Sequence, residues 1–187
     1  MPAMNVSPGF FKPINRFMVL MHRLGLGPYV SSRRVGSIMV LITTGRKSRR
    51  RRHNPVNYAW HDGAVYCLAA FNRRADWYRN LVANPQAEVW IGNSTWAGMA
   101  TEVQDPDEWL RLYREILVRS GFAAPTFMGV DPQQMTDEAL RQLGAGVPIM
   151  RIQLERELSA PADLLWVWGA LLVGWWLLRP KGATKAR

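Results

Sequence analysis

Six short runs, GSIMVLITT (36–44), VNYAWH (56–61), AVYCLAAF (64–71), AEVWIG (87–92), TWAGMATEV (95–103) and PIMRIQLE (148–155), combine β-branched or alternating apolar residues with flanking Gly, Pro and Asn turn signals. Such brevity and alternation suit strands, because successive strand side chains point to opposite faces. His61-Asp62-Gly63 and Gly92-Asn93-Ser94 read as tight turns between neighbours. Six strands with few helices exclude a doubly wound sheet and predict an α+β, mainly β chain, either a small barrel or a sandwich. A length of 187 residues with 48% hydrophobic content supports one compact domain with a proper core.

Helices fill the remainder. From Pro13 the residues Ile14, Phe17, Met18, Met21 and Leu24 recur at helical spacing, with Arg16 and Arg23 off that stripe, and Gly25 and Gly27 end the segment. This amphipathic basic helix is read first as a cover for the core and second as a membrane-surface element. DWYRNLVANP (76–85) gives one short helix stopped at Asn84-Pro85. Asp105-Pro106-Asp107-Glu108 opens another, striped by Trp109, Leu112, Tyr113, Ile116 and Leu117, and a further helix is expected from Pro132 to Leu143. The chain divides into an N-terminal helical segment 1–32, a barrel domain 33–157 and an apolar C-terminal helix with a basic tail, 158–187.

The charge is unevenly placed. Of the 24 basic and 14 acidic residues behind the net +10, positions 1–62 hold 11 basic groups and a single acid, Asp62. Arg or Lys occupies every position from Arg46 to Arg52 except Ser48. A field this local attracts phosphate, nucleic acid or anionic lipid. The stretch TTGRKSRRRRHNP joins consecutive strands, and Gly45 is free to turn. Thr43, Thr44 and Ser48 add hydroxyls, Arg46 and Arg52 offer forked contacts and Lys47 a point charge. A solvated loop that merely aids solubility is the plain alternative. No nucleic acid is expected, because the cations do not continue along a groove and the aromatics of residues 58–90 fall in apolar runs that suit a core; a nucleic-acid or anionic-lipid binder stays as an alternative. Cys67 is alone, so no intrachain disulfide forms, and the three His with one Cys show no metal-ligand spacing. The N-terminal residues lack a secretory pattern, which makes a cytoplasmic location the expectation.

The order LITTGRKSxxxRxNPV, a strand, a Gly turn, a strand ending in LAAF and then DWYRNLVANP resembles the deazaflavin-dependent nitroreductase family over about residues 33 to 156. The resemblance implies a six-stranded antiparallel split β-barrel of the FMN-binding type with flanking helices. It further implies binding of reduced coenzyme F420, with FMN as the alternative cofactor, and hydride transfer to a hydrophobic acceptor such as a quinone or nitro compound. Arg46, Lys47 and Ser48 match the family's coenzyme-phosphate loop, and Arg52, Asn54 and Pro55 the segment returning along the cofactor. Ala69 and Ala70 match small positions beside the deazaflavin ring, and Trp77 and Asn80, with Tyr78, match a W-x-x-N helix start that closes the site. Tyr58, Ser48 and solvent are the candidate proton sources, and His53 beside the loop is a further candidate acid.

The chain also departs from the family pattern. Arg49 and Arg51 stand where many relatives have Gly and Pro, Asn72 stands where some have a cation, and residues 114–150 contain no Tyr to lie over a substrate. The last departure also fits a carrier that binds F420, FMN or another anionic planar ligand without turnover.

Leu164–Leu178, LLWVWGALLVGWWLL, is uncharged, holds four Trp and is apolar on every helical face. At about 1.5 Å per residue it reaches roughly 22 Å, short of the roughly 30 Å hydrocarbon core. Attachment at the inner face of the cell membrane is expected, with Trp at the interface and Arg179, Lys181, Lys185 and Arg187 beside headgroups. The competing fates are docking on the barrel or pairing in a homodimer, for which Ala170 and Gly174 give a small-xxx-small face.

Overall fold

The computed structural model describes residues 11–31, 36–121, 125–126, 129–159 and 163–178. Residues 1–10 of the N-terminal segment and the basic tail with Arg179, Lys181, Lys185 and Arg187 lie outside the described residues. Six antiparallel strands close into a barrel in the order β1-β2-β3-β6-β5-β4. They are β1 (Ile38–Thr44), β2 (Arg51–His61), β3 (Ala64–Leu68), β4 (Gln86–Ile91), β5 (Ser94–Glu102) and β6 (Ile149–Leu158). The expected six-stranded antiparallel barrel is therefore the observed one. Closure pairs every edge, which removes the open strand that a sandwich would have to protect.

Alternation decides what each strand buries. Met39 and Leu41, Val65 and Cys67, Val89, Met150 and Ile152 point inward and are fully or almost fully buried. Full burial of a Leu, Ile or Met side chain stabilises by about 1.5–3 kcal/mol, so this row carries much of the barrel's stability. The Cys67 thiol is sealed inside, and burial pushes its pKa up to about 12. The barrel bends at a register shift between Ala97 and Gly98, where a side chain on Gly98 would meet the Gln153 carbonyl oxygen at 2.2 Å.

Two helical layers dress the outside. On one, α4 (Pro106–Arg119) lies across β2 and β3, burying Leu112, Tyr113 and Ile116 against Ala59, Ala64, Tyr66 and Ile149. Asp105 starts that helix by accepting from the Asp107 and Glu108 amides at 3.1 and 2.7 Å. α5 (Asp137–Leu143) closes the same side with Leu140. It begins at Asp137 rather than Pro132, because the Thr136 hydroxyl caps the Ala139 amide and so sets the first turn. On the other side, α1 (Phe11–Arg23) packs Val19 against Val40, Ile42 and Trp90, and a short α2 (Gly27–Val30) follows it. α1 buries Met18 and His22 but leaves Ile14, Phe17 and Leu20 44%, 54% and 44% exposed. It covers the core with one part of its surface only.

α3 (Asp76–Ala83), preceded by a single 3-10 turn at Asn72–Arg74, sits beside the end of β1. α6 (Trp166–Leu178) does not dock on the barrel. None of its residues is buried.

Two strand boundaries differ from the sequence reading. β2 begins at Arg51, five residues earlier than VNYAWH, because Arg51, Arg52 and His53 pair with Thr44, Thr43 and Ile42. β3 stops at Leu68 and the following Ala69-Ala70-Phe71 turns into the 3-10 segment, closed by Asn72 N donating to the Ala69 carbonyl at 2.7 Å.

Candidate functional site

Pairing of Thr44 with Arg51 shortens the basic loop to residues 45–50. Gly45 N donates to the Arg50 carbonyl at 2.9 Å and Arg49 N to the Gly45 carbonyl at 2.7 Å, which folds the loop onto itself. A side chain at Gly45 would meet Ser48 Oγ at 2.6 Å and the Arg50 carbonyl oxygen at 3.2 Å, so the tight curl leaves little room for one there. Arg49 adopts φ 54°, the left-handed region, which accounts physically for the glycine that the family resemblance places at this position. The Lys47 and Ser48 amides donate to nothing among the described residues.

Asn80 fixes this loop from below. Its side chain is buried at 4% exposure; Oδ1 accepts from the Arg46 amide at 3.1 Å and from Arg46 Nη1 at 3.2 Å. Its Nδ2 donates to Thr43 Oγ1 at 3.1 Å, tying α3 to the end of β1. Arg46 also pairs with Asp76 at 2.9 Å, and Arg52 Nη2 donates to Ser48 Oγ at 3.1 Å. The W-x-x-N segment thus acts on the loop backbone as well as on the cleft.

Between this loop, α1 and the start of α3 runs a cleft of about 830 Å³. α1 contributes Asn15, Arg16, Val19, Leu20 and Arg23, the loop Gly45, Arg46, Lys47 and Ser48, the start of β2 Arg51, Arg52, His53 and Asn54, and α3 Asp76, Trp77 and Asn80. Cations dominate, and Asp76 is the only carboxylate among these lining residues. Arg23, Arg46 and Arg51 have carboxylate partners in Asp163, Asp76 and Glu88, whereas Arg16, Lys47 and Arg52 have none among the described residues. Unpaired cations beside unpaired amides form a site for an anionic group such as a phosphodiester. His53 lies over Trp90 at a centroid separation of 5.0 Å. Burial, then the nearby Arg51 and Arg23, lower its pKa and keep the imidazole neutral near pH 7.

Of the residues singled out in the sequence, Arg46, Lys47, Ser48, Arg52, Asn54, Trp77 and Asn80 come together along this cleft. Pro55, Ala69, Ala70, Tyr58 and Tyr78 are not among its lining residues. Tyr58 packs against the barrel core, where burial raises its phenol pKa. Ala69 is buried in the same core and Ala70 is exposed at the following turn. Tyr78 instead donates to Glu102 Oε2 at 2.7 Å beside Arg73. Burial pushes the Glu102 carboxyl up, yet the hydrogen bonds from Arg73 and Tyr78 outweigh it and hold the group below its ordinary range. The α1 wall was missed by sequence reasoning; the only signal was the spacing of Arg16 and Arg23, which puts both near one face of the helix. No group of three or more metal-ligating His, Cys, Asp or Glu occurs among the described residues.

A closed six-stranded antiparallel barrel with flanking helices, and a cation-lined cleft beside its basic loop, defines the fold class as a split barrel. The family described as F420H(2)-dependent quinone reductase matches residues 15–131, and the chain belongs to that family. The matched span contains every lining residue of the cleft. An F420H(2)-dependent quinone reductase of Mycobacterium tuberculosis strain H37Rv is 37% identical over 75 residues, covering 37% of this chain and 50% of the relative. One from strain CDC 1551 of the same species gives the same figures. The chain spans about half the length of the curated relatives it matches. A solved structure, a conserved hypothetical protein of Mycobacterium tuberculosis, aligns with a TM-score of 0.50 at 16% identity over 100% of this chain and 96% of that one, a likeness of fold alone. Membership of an F420H(2)-dependent family implies coenzyme F420 as the cofactor.

Proposed function

We propose that this chain is an oxidoreductase that holds reduced F420 in the basic cleft and passes reducing equivalents to a hydrophobic acceptor of the quinone type. The observation that carries this reading is the gathering of Arg46, Lys47, Ser48, Arg52, Asn54, Trp77 and Asn80 along one cleft. The bound coenzyme supplies the hydride, and the side chains bind and orient it. Arg52, Lys47 and the Lys47 and Ser48 amides receive the phosphodiester, while Arg46, already tied to Asn80 and Asp76, holds the loop in shape. Arg49 and Arg50, exposed at the loop tip, meet the acidic tail of the coenzyme. With Ser48 at the phosphate end of the cleft, solvent is the proton source for the reduced acceptor, and His53 lines the same cleft as a neutral imidazole.

Location at the inner face of a membrane belongs to the same proposal, since a lipid-soluble acceptor is reached most directly there. No helix among the described residues is long and apolar enough to cross a bilayer. The absence of Tyr from residues 114–150 favours a second reading, a carrier of F420 or a flavin without turnover. Anaerobic mixing of the purified chain with F420H2 and a water-soluble quinone separates the two. Oxidation of F420H2 that requires the protein and the quinone supports the reductase; saturable binding without oxidation supports the carrier.

A further inference from the structure

α6 exposes Trp166, Trp168, Leu171, Leu172, Trp176 and Leu177 by 41–68%, all around its circumference. Such a surface exceeds what a monomer normally leaves in water and requires an occupant. Two features identify it. Pairing of two such helices covers one face of each, whereas a leaflet surrounds all faces of a helix without a polar stripe. At 13 residues the helix is also too short to span, which suits a segment seated within one leaflet. Positions 1–62, which include α1, hold 11 basic residues against one acid, so an anionic bilayer also matches in charge.

The base of α6 is bound to the cleft. Asp163 accepts two hydrogen bonds from Arg23 Nε at 2.9 and 3.2 Å and one from Nη2 at 2.7 Å. Leu164 N donates to the Arg23 carbonyl and Trp168 Nε1 to the Leu24 carbonyl, each at 3.0 Å, capping the end of α1. Arg23 itself lines the cleft, and α1 forms its wall. We propose that α6 seats in one leaflet of an anionic bilayer and, through the Arg23–Asp163 clasp, steadies α1 as the wall of the cleft when it does so. The functional importance of that wall rests on reading the cleft as the cofactor site. By linkage, whatever steadies α1 from the membrane side favours occupancy of the cleft, and occupancy favours seating.

The test uses the full chain with vesicles of phosphatidylcholine containing phosphatidylglycerol, followed by sedimentation and by hydrogen exchange at the α1 amides. The wild-type chain sediments with these vesicles, and its α1 amides slow by about tenfold on binding. Leu172→Glu combined with Trp176→Glu, both at exposed sites, abolishes sedimentation. Asp163→Asn still sediments but loses the slowing at α1. A wild-type chain that stays in the supernatant, or one that forms a stable dimer without lipid which the Leu172→Glu/Trp176→Glu chain does not, overturns the proposal. So does unchanged α1 slowing in Asp163→Asn. An F420 titration of the same samples separates this inference from the cofactor reading, since loss of F420 binding with both vesicle results intact removes the cofactor alone.

Discussion

α1 and α4 share the same apolar spacing in sequence and have opposite fates. α4 drives Leu112, Tyr113 and Ile116 into the outer face of β2 and β3, and its Trp109 stacks on Tyr113 with ring centroids 4.7 Å apart. α1 buries Met18 and His22, leaves Ile14, Phe17 and Leu20 half exposed, and turns Arg16 and Arg23 towards a cleft. The barrel therefore has a closed side, where helical periodicity reports packing, and an open side, where the same periodicity divides between packing and binding. An apolar stripe says that one face of a helix is covered, and its neighbours decide by what.

Substitutions that treat the two helices alike expose this difference. The largest effect is expected for Leu112→Ala in α4, which leaves a cavity in a fully buried position and costs about 2–5 kcal/mol in chemical denaturation, while Phe17→Ser in α1 stays within about 0.5 kcal/mol. Equal losses at the two positions would break the comparison. On the open side, Arg46→Ala with Lys47→Ala weakens F420 binding by about 100-fold in a fluorescence titration, since charge-assisted hydrogen bonds are lost, with the melting temperature changed far less. Asn80→Ala sharpens the division between holding and binding. Removal of its bonds to the Arg46 amide and Thr43 costs about 1–3 kcal/mol of stability and loosens the loop, so both the denaturation midpoint and F420 affinity fall.

The smallest effect concerns His22, the buried polar group of α1. Burial lowers its pKa, against the opposing hydrogen bond with the Met18 carbonyl. The unfolded chain then takes up this proton first, so stability is full above the ordinary histidine value of 6.5 and declines as pH falls below it. Melting curves across that range should show a shallower decline for His22→Leu than for the wild-type chain.

The strand pattern was legible because alternation and Gly-Pro punctuation are local, and it led to the barrel directly. Arg51 to His53 do not read as strand in the sequence, because a run of arginines suits a loop, whereas their pairing with Thr44 to Ile42 is enforced by the partner strand. The start of α5 is not legible in the sequence, because Pro132 is a good first-turn residue in isolation, while the Thr136 cap operates in the folded chain. For the site, Arg46, Lys47 and Ser48 were visible as a charge run beside Gly45. The role of Asn80 as the brace of that run, the diversion of Tyr78 to Glu102 and the α1 wall depend on contacts between distant segments, and no spacing along the chain encodes them. The uniform apolarity of Leu164 to Leu178 announced an unmet partner, and the structure excludes the barrel as that partner by leaving α6 unburied.

The most direct test is a fluorescence titration of the purified full chain, in mild detergent, with oxidised F420 and with FMN as control. The account predicts saturable micromolar binding of F420, with FMN bound weakly or not at all, and loss of that binding in the Arg46→Ala/Lys47→Ala chain. Absence of F420 binding, or F420 affinity unchanged by removal of both cations, would contradict the assignment of the basic cleft as the coenzyme site.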